Sequence, residues 1–85
     1  MRVTVRLFAR LRELAGQGEW LEDLTGADAR AVSVATVWQA AVRRHPPLEP
    51  FGGSISCAVN ATFARMTAAV EDGDDVAFLP PVSGG

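Results

Sequence analysis

DDVAFLPPVSGG, residues 74–85, closes the 85-residue chain. Val76, Ala77, Phe78 and Leu79 form a short apolar run of the kind found in strands. Pro80 and Pro81 stop it, because neither carries a backbone N–H with which to extend a ladder. A strand placed this late must find its neighbours among earlier segments. The fold therefore depends on what lies upstream.

The first candidate neighbour is RVTVRLF, residues 2–8. Val3, Val5 and Leu7 fall on one face, and Arg2, Thr4, Arg6 and Phe8 on the other. Period two with β-branched residues predicts a strand with one buried face. Phe8 is misplaced, an aromatic ring on the polar side. ARLRELAG (9–16) predicts a short helical turn ended by Gly16. EWLEDL (19–24) predicts a second strand, with Trp20, Glu22 and Leu24 opposite Leu21 and Asp23, and a hairpin with the first.

SVATVWQAAVRRHPP (33–47) is the clearest helix. Val34, Val37, Trp38, Ala41 and His45 make one stripe at helical spacing. Ser33 is a suitable N-cap for the free N–H groups of the first turn. Arg43, Arg44 and His45 suit the negative end of the helix dipole, and Pro46 stops the helix. PPLEPFGGS (46–54) reads as a loop by composition. SISCAVN (54–60) predicts a third strand with Ile55, Cys57 and Val59 on one face and Asn60 at a turn. TFARM (62–66) is placed to pair beside it, and Asp72-Gly73 marks another turn.

The order is β-β-α followed by several strands. This predicts an α+β fold, a mixed sheet with one main helix packed across it. With the first hairpin antiparallel and the last strand parallel to the first, the arrangement is the ubiquitin-like β-grasp. Residues 1–85 are then one domain, with 80–85 as a flexible C-terminal tail leaving the middle of the sheet.

Composition narrows the function classes. Hydrophobic residues are 48% and charged residues 21% of the chain, which suits a globular protein. No apolar run approaches the roughly 20 residues of a membrane span. The opening MRVTVRLFARLREL has no continuous apolar core of a secretory signal, so a cytoplasmic location is expected. The net charge is −2, and basic residues are spread without interleaved aromatics, which argues against nucleic acid as a partner. All eight basic residues are arginine, so the chain has no side-chain amine.

Catalytic constellations are sparse. Cys57 is the single cysteine and His45 the single histidine. The first reads as a buried structural thiol, the second as a stripe or C-terminal capping residue. The acidic run from Glu71 to Asp75 lacks the alternating oxygens of a calcium loop, and no metal site is expected. FGGS lacks phosphate-loop spacing and a lysine.

The group with unusual access is the terminal carboxylate of Gly85. An extended tail from Pro80 reaches roughly 20 Å. Prolines stiffen its root, and Gly84-Gly85 makes a thin tip able to enter a narrow channel. An ionised carboxyl terminus, with an ordinary pKa of about 3.3–3.7, is a poor electrophile. An enzyme must activate it first, for example as an acyl-adenylate.

FARLRELAG, AVNATFA and above all EDGDDVAFLPPVSGG resemble the small, ubiquitin-like sulfur-carrier subunit family of molybdopterin synthase. The resemblance covers essentially the whole chain. It implies that a ubiquitin-activating-type adenylyltransferase uses ATP to adenylate Gly85, and that a sulfur donor converts it to a thiocarboxylate. The tail then enters the large synthase subunit and gives its sulfur to cyclic pyranopterin monophosphate in molybdenum cofactor biosynthesis.

A heterotetramer of two carriers and two large subunits follows from the same resemblance. No cofactor is permanently bound, and the acid-base groups belong to the large subunit. The resemblance makes Phe8, Phe63, Leu79, Pro80, Pro81, Val82 and Ser83 the partner interface, with Gly84 threading the tail and Arg10 and Arg12 flanking that face. Two alternatives remain: a sulfur carrier for thiamine or tRNA thiolation, and a β-grasp interaction module with an inert tail.

Overall fold

The computed structural model describes residues 1–24 and 32–81. Five strands form one mixed sheet: β1 (Arg2–Leu7), β2 (Glu19–Asp23), β3 (Ser56–Val59), β4 (Thr62–Ala64) and β5 (Asp75–Leu79). Their spatial order is β2-β1-β5-β3-β4. β1 runs antiparallel to β2 and parallel to β5, while β3 is antiparallel to both β5 and β4. The last strand thus occupies the centre of the sheet, as the β-grasp reading expects.

One face of the sheet carries the core. Val3, Val5 and Leu7 of β1 and Val76 and Phe78 of β5 are buried. They lie under α2 (Val34–Arg44), whose Val34, Val37, Trp38 and Ala41 are also buried. The predicted stripe is therefore the packed one. Burying a side chain such as Phe78 contributes about 2–3 kcal/mol relative to leaving it in water. The rings of Trp38 and Phe78 meet edge to face with centroids 5.0 Å apart, which adds about 0.5–1.5 kcal/mol.

Local chemistry sets the helix ends. Ser33 Oγ accepts from the Thr36 N–H at 3.4 Å, and Ser33 N–H donates to Thr36 Oγ1 at 3.1 Å. This is a capping box that satisfies two otherwise free donors. At the other end the His45 N–H donates to the Ala41 carbonyl at 2.8 Å. The imidazole lies 2.9 Å from Gln17 Oε1 through Nε2 and meets Trp20 edge-on at 5.2 Å. Burial, and then the neighbouring Arg44, push the His45 pKa below its ordinary value. His45 is thus the helix-end residue that its place in the sequence suggested.

Two local features differ from or extend the sequence reading. Residues Pro46–Phe51, expected as a loop, form a 3-10 helix. Proline fixes φ for its first turn, and Leu48 anchors it by complete burial. The β3–β4 turn places Asn60 and Ala61 at φ 49° and 67°. Both values are positive, as the hairpin turn matching the strand twist requires. The Asn60 side chain then ties this turn to β5, donating to Asp74 Oδ1 and accepting from the Asp75 N–H, each at 2.9 Å.

The short helix α1 (Ala9–Ala15) ends as predicted at Gly16, which is left-handed at φ 70°. Its first residue, Ala9, also has a positive φ of 51°. The chain therefore turns from strand into helix within one residue of Phe8.

Candidate functional site

The second sheet face has no helix over it among the described elements. Strand alternation and register give its composition. Arg6 stands opposite Glu19 and alongside Ala77, Ala77 opposite Ala58, and Ala58 opposite Phe63. One row further on, Leu79 stands opposite Ser56. Phe8 follows directly, since Leu7 is level with Phe78 and the Phe8 N–H donates to the Phe78 carbonyl at 3.3 Å.

Pairing therefore brings Phe8, Phe63 and Leu79 onto one face. Phe8 is 46% exposed and Phe63 77% exposed, while Leu79 is half-buried. Ala58 and Ala77 make a low floor between the rings. A cleft of about 250 Å³ opens beside it, lined by Arg6, Phe8, Asn60, Ala61, Asp75 and Ala77. Two exposed aromatic rings and Leu79 beside these small residues make this face an apolar patch.

A charged strip borders this patch. Arg6 Nη1 lies 2.5 Å from Glu19 Oε1, and Arg6 Nε lies 2.5 Å from Asp75 Oδ2. The bond to Asp75, its charge and the charge of Glu19 all raise the Arg6 pKa. Beyond the strip stands Leu21, 65% exposed and opposite Thr4. The sequence reading did not single out Leu21 as a site residue. The signal was present: like Phe8, it is an apolar residue on the polar side of an alternating strand.

Arg10 and Arg12 sit on α1 just past Phe8. Both are exposed. Arg10 reaches Glu13 at 3.4 Å. Arg12 lies across Gly18, where an added Cβ would come within 2.9 Å of its Nε. With Arg6, Phe8, Ala9 and Glu19, Arg12 and Gly18 line a second cleft of about 300 Å³.

The root of the tail leaves from the same end of the sheet. Pro80 is half-buried and Pro81 exposed. Val82, Ser83, Gly84 and Gly85 lie outside the described residues. Cys57 faces the core, 4% exposed, with its Sγ 3.7 Å from Met66 Sδ, and burial raises its pKa. That environment suits an inert thiol.

Sequence comparison matches the ThiS family to residues 5–85. The chain belongs to this family. Among its relatives, the molybdopterin synthase sulfur carrier subunit of Escherichia coli is 36% identical over 85 residues, spanning 98% of this chain and 99% of its own length. That of Chlamydomonas reinhardtii is 36% identical over 87 residues and spans both chains completely. The crystal structure of small archaeal modifier protein 1 from Haloferax volcanii superposes with a TM-score of 0.83 at 33% identity, over all of both chains. The family resemblance and the β-grasp fold read from the sequence both hold.

Proposed function

We propose that this ThiS-family chain is the sulfur-carrier subunit of a molybdopterin synthase. One observation carries the reading: similarity to sulfur carrier subunits of that synthase runs along 98% of the chain or more. The position of β5 supports it. As the central strand, bonded on both sides, β5 is a firm base for the residues that follow it, and an apolar patch lies beside its end.

In this proposal residues 1–85 act as one domain, with 80–85 as its flexible arm. An adenylyltransferase of the ubiquitin-activating type joins the Gly85 carboxylate to AMP from ATP and releases pyrophosphate. A sulfur donor displaces AMP and leaves a thiocarboxylate. Phe8, Phe63 and Leu79 seat the carrier on the large synthase subunit, with Arg10 and Arg12 at the edge of the contact. Pro80, Pro81, Val82, Ser83 and Gly84 lead the thiocarboxylate into the large subunit's active site, which supplies the acid-base groups. Sulfur passes there to cyclic pyranopterin monophosphate.

Reconstitution with an activating enzyme, ATP, a sulfur donor and a large synthase subunit tests this. The intact chain should gain about 16 Da as one oxygen is replaced by sulfur, and should support molybdopterin formation. A chain lacking Gly84 and Gly85 should do neither while keeping its fold. Molybdopterin formation by the shortened chain would refute the proposal.

A further inference from the structure

Trp38 is only 7% exposed, and its ring packs against Phe78 in the core. Its indole N–H nevertheless makes no hydrogen bond to a described residue. A buried tryptophan usually finds a partner for this donor. Among the described residues no buried side-chain nitrogen or oxygen lacks a partner, so Trp38 Nε1 is reached from outside. The opening is a cleft of about 550 Å³ lined by Trp38, Gln39, Val42, Arg43, Glu49 and Gly52. Small-molecule sites commonly enclose roughly 300–1,000 Å³.

Two elements build this cleft. Gln39, Val42 and Arg43 stand at i, i+3 and i+4 on α2, which sets them side by side on one helix face. The opposite wall is the end of the 3-10 helix, with Glu49 and Gly52. The indole reaches from one wall to the other, since a Cβ added at Gly52 would lie 3.0 Å from Trp38 Nε1. Gly52 has a right-handed φ of −54°, so its backbone does not demand glycine. What the missing Cβ provides is access to the indole N–H.

Arg43 and Glu49 are exposed. Neither forms an ion pair with a described residue. The cleft therefore presents a cation on one wall, an anion on the other and a lone donor on its floor. Val42, half-buried, adds apolar surface.

We propose that this cleft binds a small zwitterion built like an apolar dipeptide. The ligand carboxylate meets the Arg43 guanidinium, and the ligand ammonium meets the Glu49 carboxylate. Its peptide carbonyl accepts from the Trp38 N–H, and its apolar side chain lies on Val42. The Gln39 amide, both donor and acceptor, serves either end. Charge-assisted bonds at both ends select a ligand that carries both charges. A simple anion is repelled by Glu49, and a simple cation by Arg43. The cleft lies on the α2 side of the sheet, whereas Phe8 and Phe63 belong to the uncovered face. The inference is thus independent of the sulfur-carrier reading.

Titration of the full, isotopically labelled chain with glycyl-leucine tests it, read by nuclear magnetic resonance at the two indole N–H signals. The Trp20 indole N–H is held by Glu22 Oε1 at 3.0 Å and serves as the reference. The Trp38 signal should move saturably while that of Trp20 stays in place. N-acetyl-glycyl-leucine lacks the ammonium and glycyl-leucinamide lacks the carboxylate. Each should bind at least about tenfold more weakly, as loss of a hydrogen bond between charged groups implies.

Arg43→Gln should weaken glycyl-leucine by at least about tenfold and leave the affinity for glycyl-leucinamide unchanged. General loosening of the helix would not give that split. Gly52→Ala should set a methyl group against the indole N–H and remove the Trp38 response, while the remaining signals keep the parental pattern. No saturable movement at Trp38, an equal movement at Trp20, blocked peptides that bind as tightly as glycyl-leucine, or an Arg43→Gln chain that binds like the parental one would overturn the proposal.

Discussion

Phe8 and Leu79 come from opposite ends of the sequence and meet at one end of the sheet. The link is the parallel pairing of β1 with β5, which sets Leu7 level with Phe78 and brings the Phe8 N–H to 3.3 Å from the Phe78 carbonyl. The same residue that starts the helical turn therefore stands beside the root of the tail. In the proposed function, a partner that grips Phe8 is also at the end of β5.

Replacement of Phe8 by arginine tests that coupling. Phe8→Arg should weaken binding to a large synthase subunit by about 30-fold or more, the scale of an interface hot spot of about 2 kcal/mol. Since Phe8 is 46% exposed, the unfolding midpoint should barely move. Titration calorimetry and a denaturant melt together check both halves.

Phe63 is the more exposed ring, and its removal should separate binding from folding still more cleanly. Phe63→Ser should change stability by no more than about 0.5 kcal/mol, as exposed substitutions usually do, while lowering affinity for the partner. Leu21→Ser makes a useful comparison. If the charged strip of Glu19, Arg6 and Asp75 bounds the contact, the Leu21 variant should bind like the parental chain.

Phe78 has the opposite environment. It is fully buried against Trp38 beneath α2. Phe78→Ala should cost about 3–5 kcal/mol, a large part of the roughly 4–13 kcal/mol expected of a chain this long. Urea unfolding should show a midpoint lowered in proportion, or a chain already unfolded in buffer.

Ala61 holds a positive φ of 67° that favours glycine. Ala61→Gly should relieve that strain and stabilise the chain by about 0.5–1 kcal/mol. Ser33→Ala should act the other way, removing the capping box at a cost of about 1 kcal/mol. Thermal melts of the two variants should shift in opposite directions.

His45 gives the stability a pH dependence with a definite sign. Burial and Arg44 lower its folded pKa below 6.5. The unfolded chain therefore takes up a proton first as pH falls, and stability is lost below about 6.5. His45→Gln should flatten the stability profile between neutral and mildly acid pH. An unchanged slope in that window would show that other groups set it.

Much of the fold was legible because it rests on local periodicity. The alternation of Val3, Val5 and Leu7, the stripe of Val34, Val37, Trp38 and Ala41, and the Ser33 cap each express backbone geometry within a few residues. The 3-10 helix at Pro46–Phe51 was not legible. Its composition is that of a loop, and only the distant core that receives Leu48 makes it helical. Leu21 was missed for a related reason, since its alternation with Trp20 acquires a meaning only once β2 is known to border an uncovered face.

By itself, the sequence determined the element types, the buried side of each, the family and the glycine tip, because each is written in contiguous residues. The tertiary structure alone decided which residues meet. It placed β5 at the centre of the sheet, stood Phe8 beside Leu79 and Phe63 opposite Ala58, and set Arg6 between Glu19 and Asp75. Strand order and register come from burying one sheet face under α2, and that burial is a property of the whole chain.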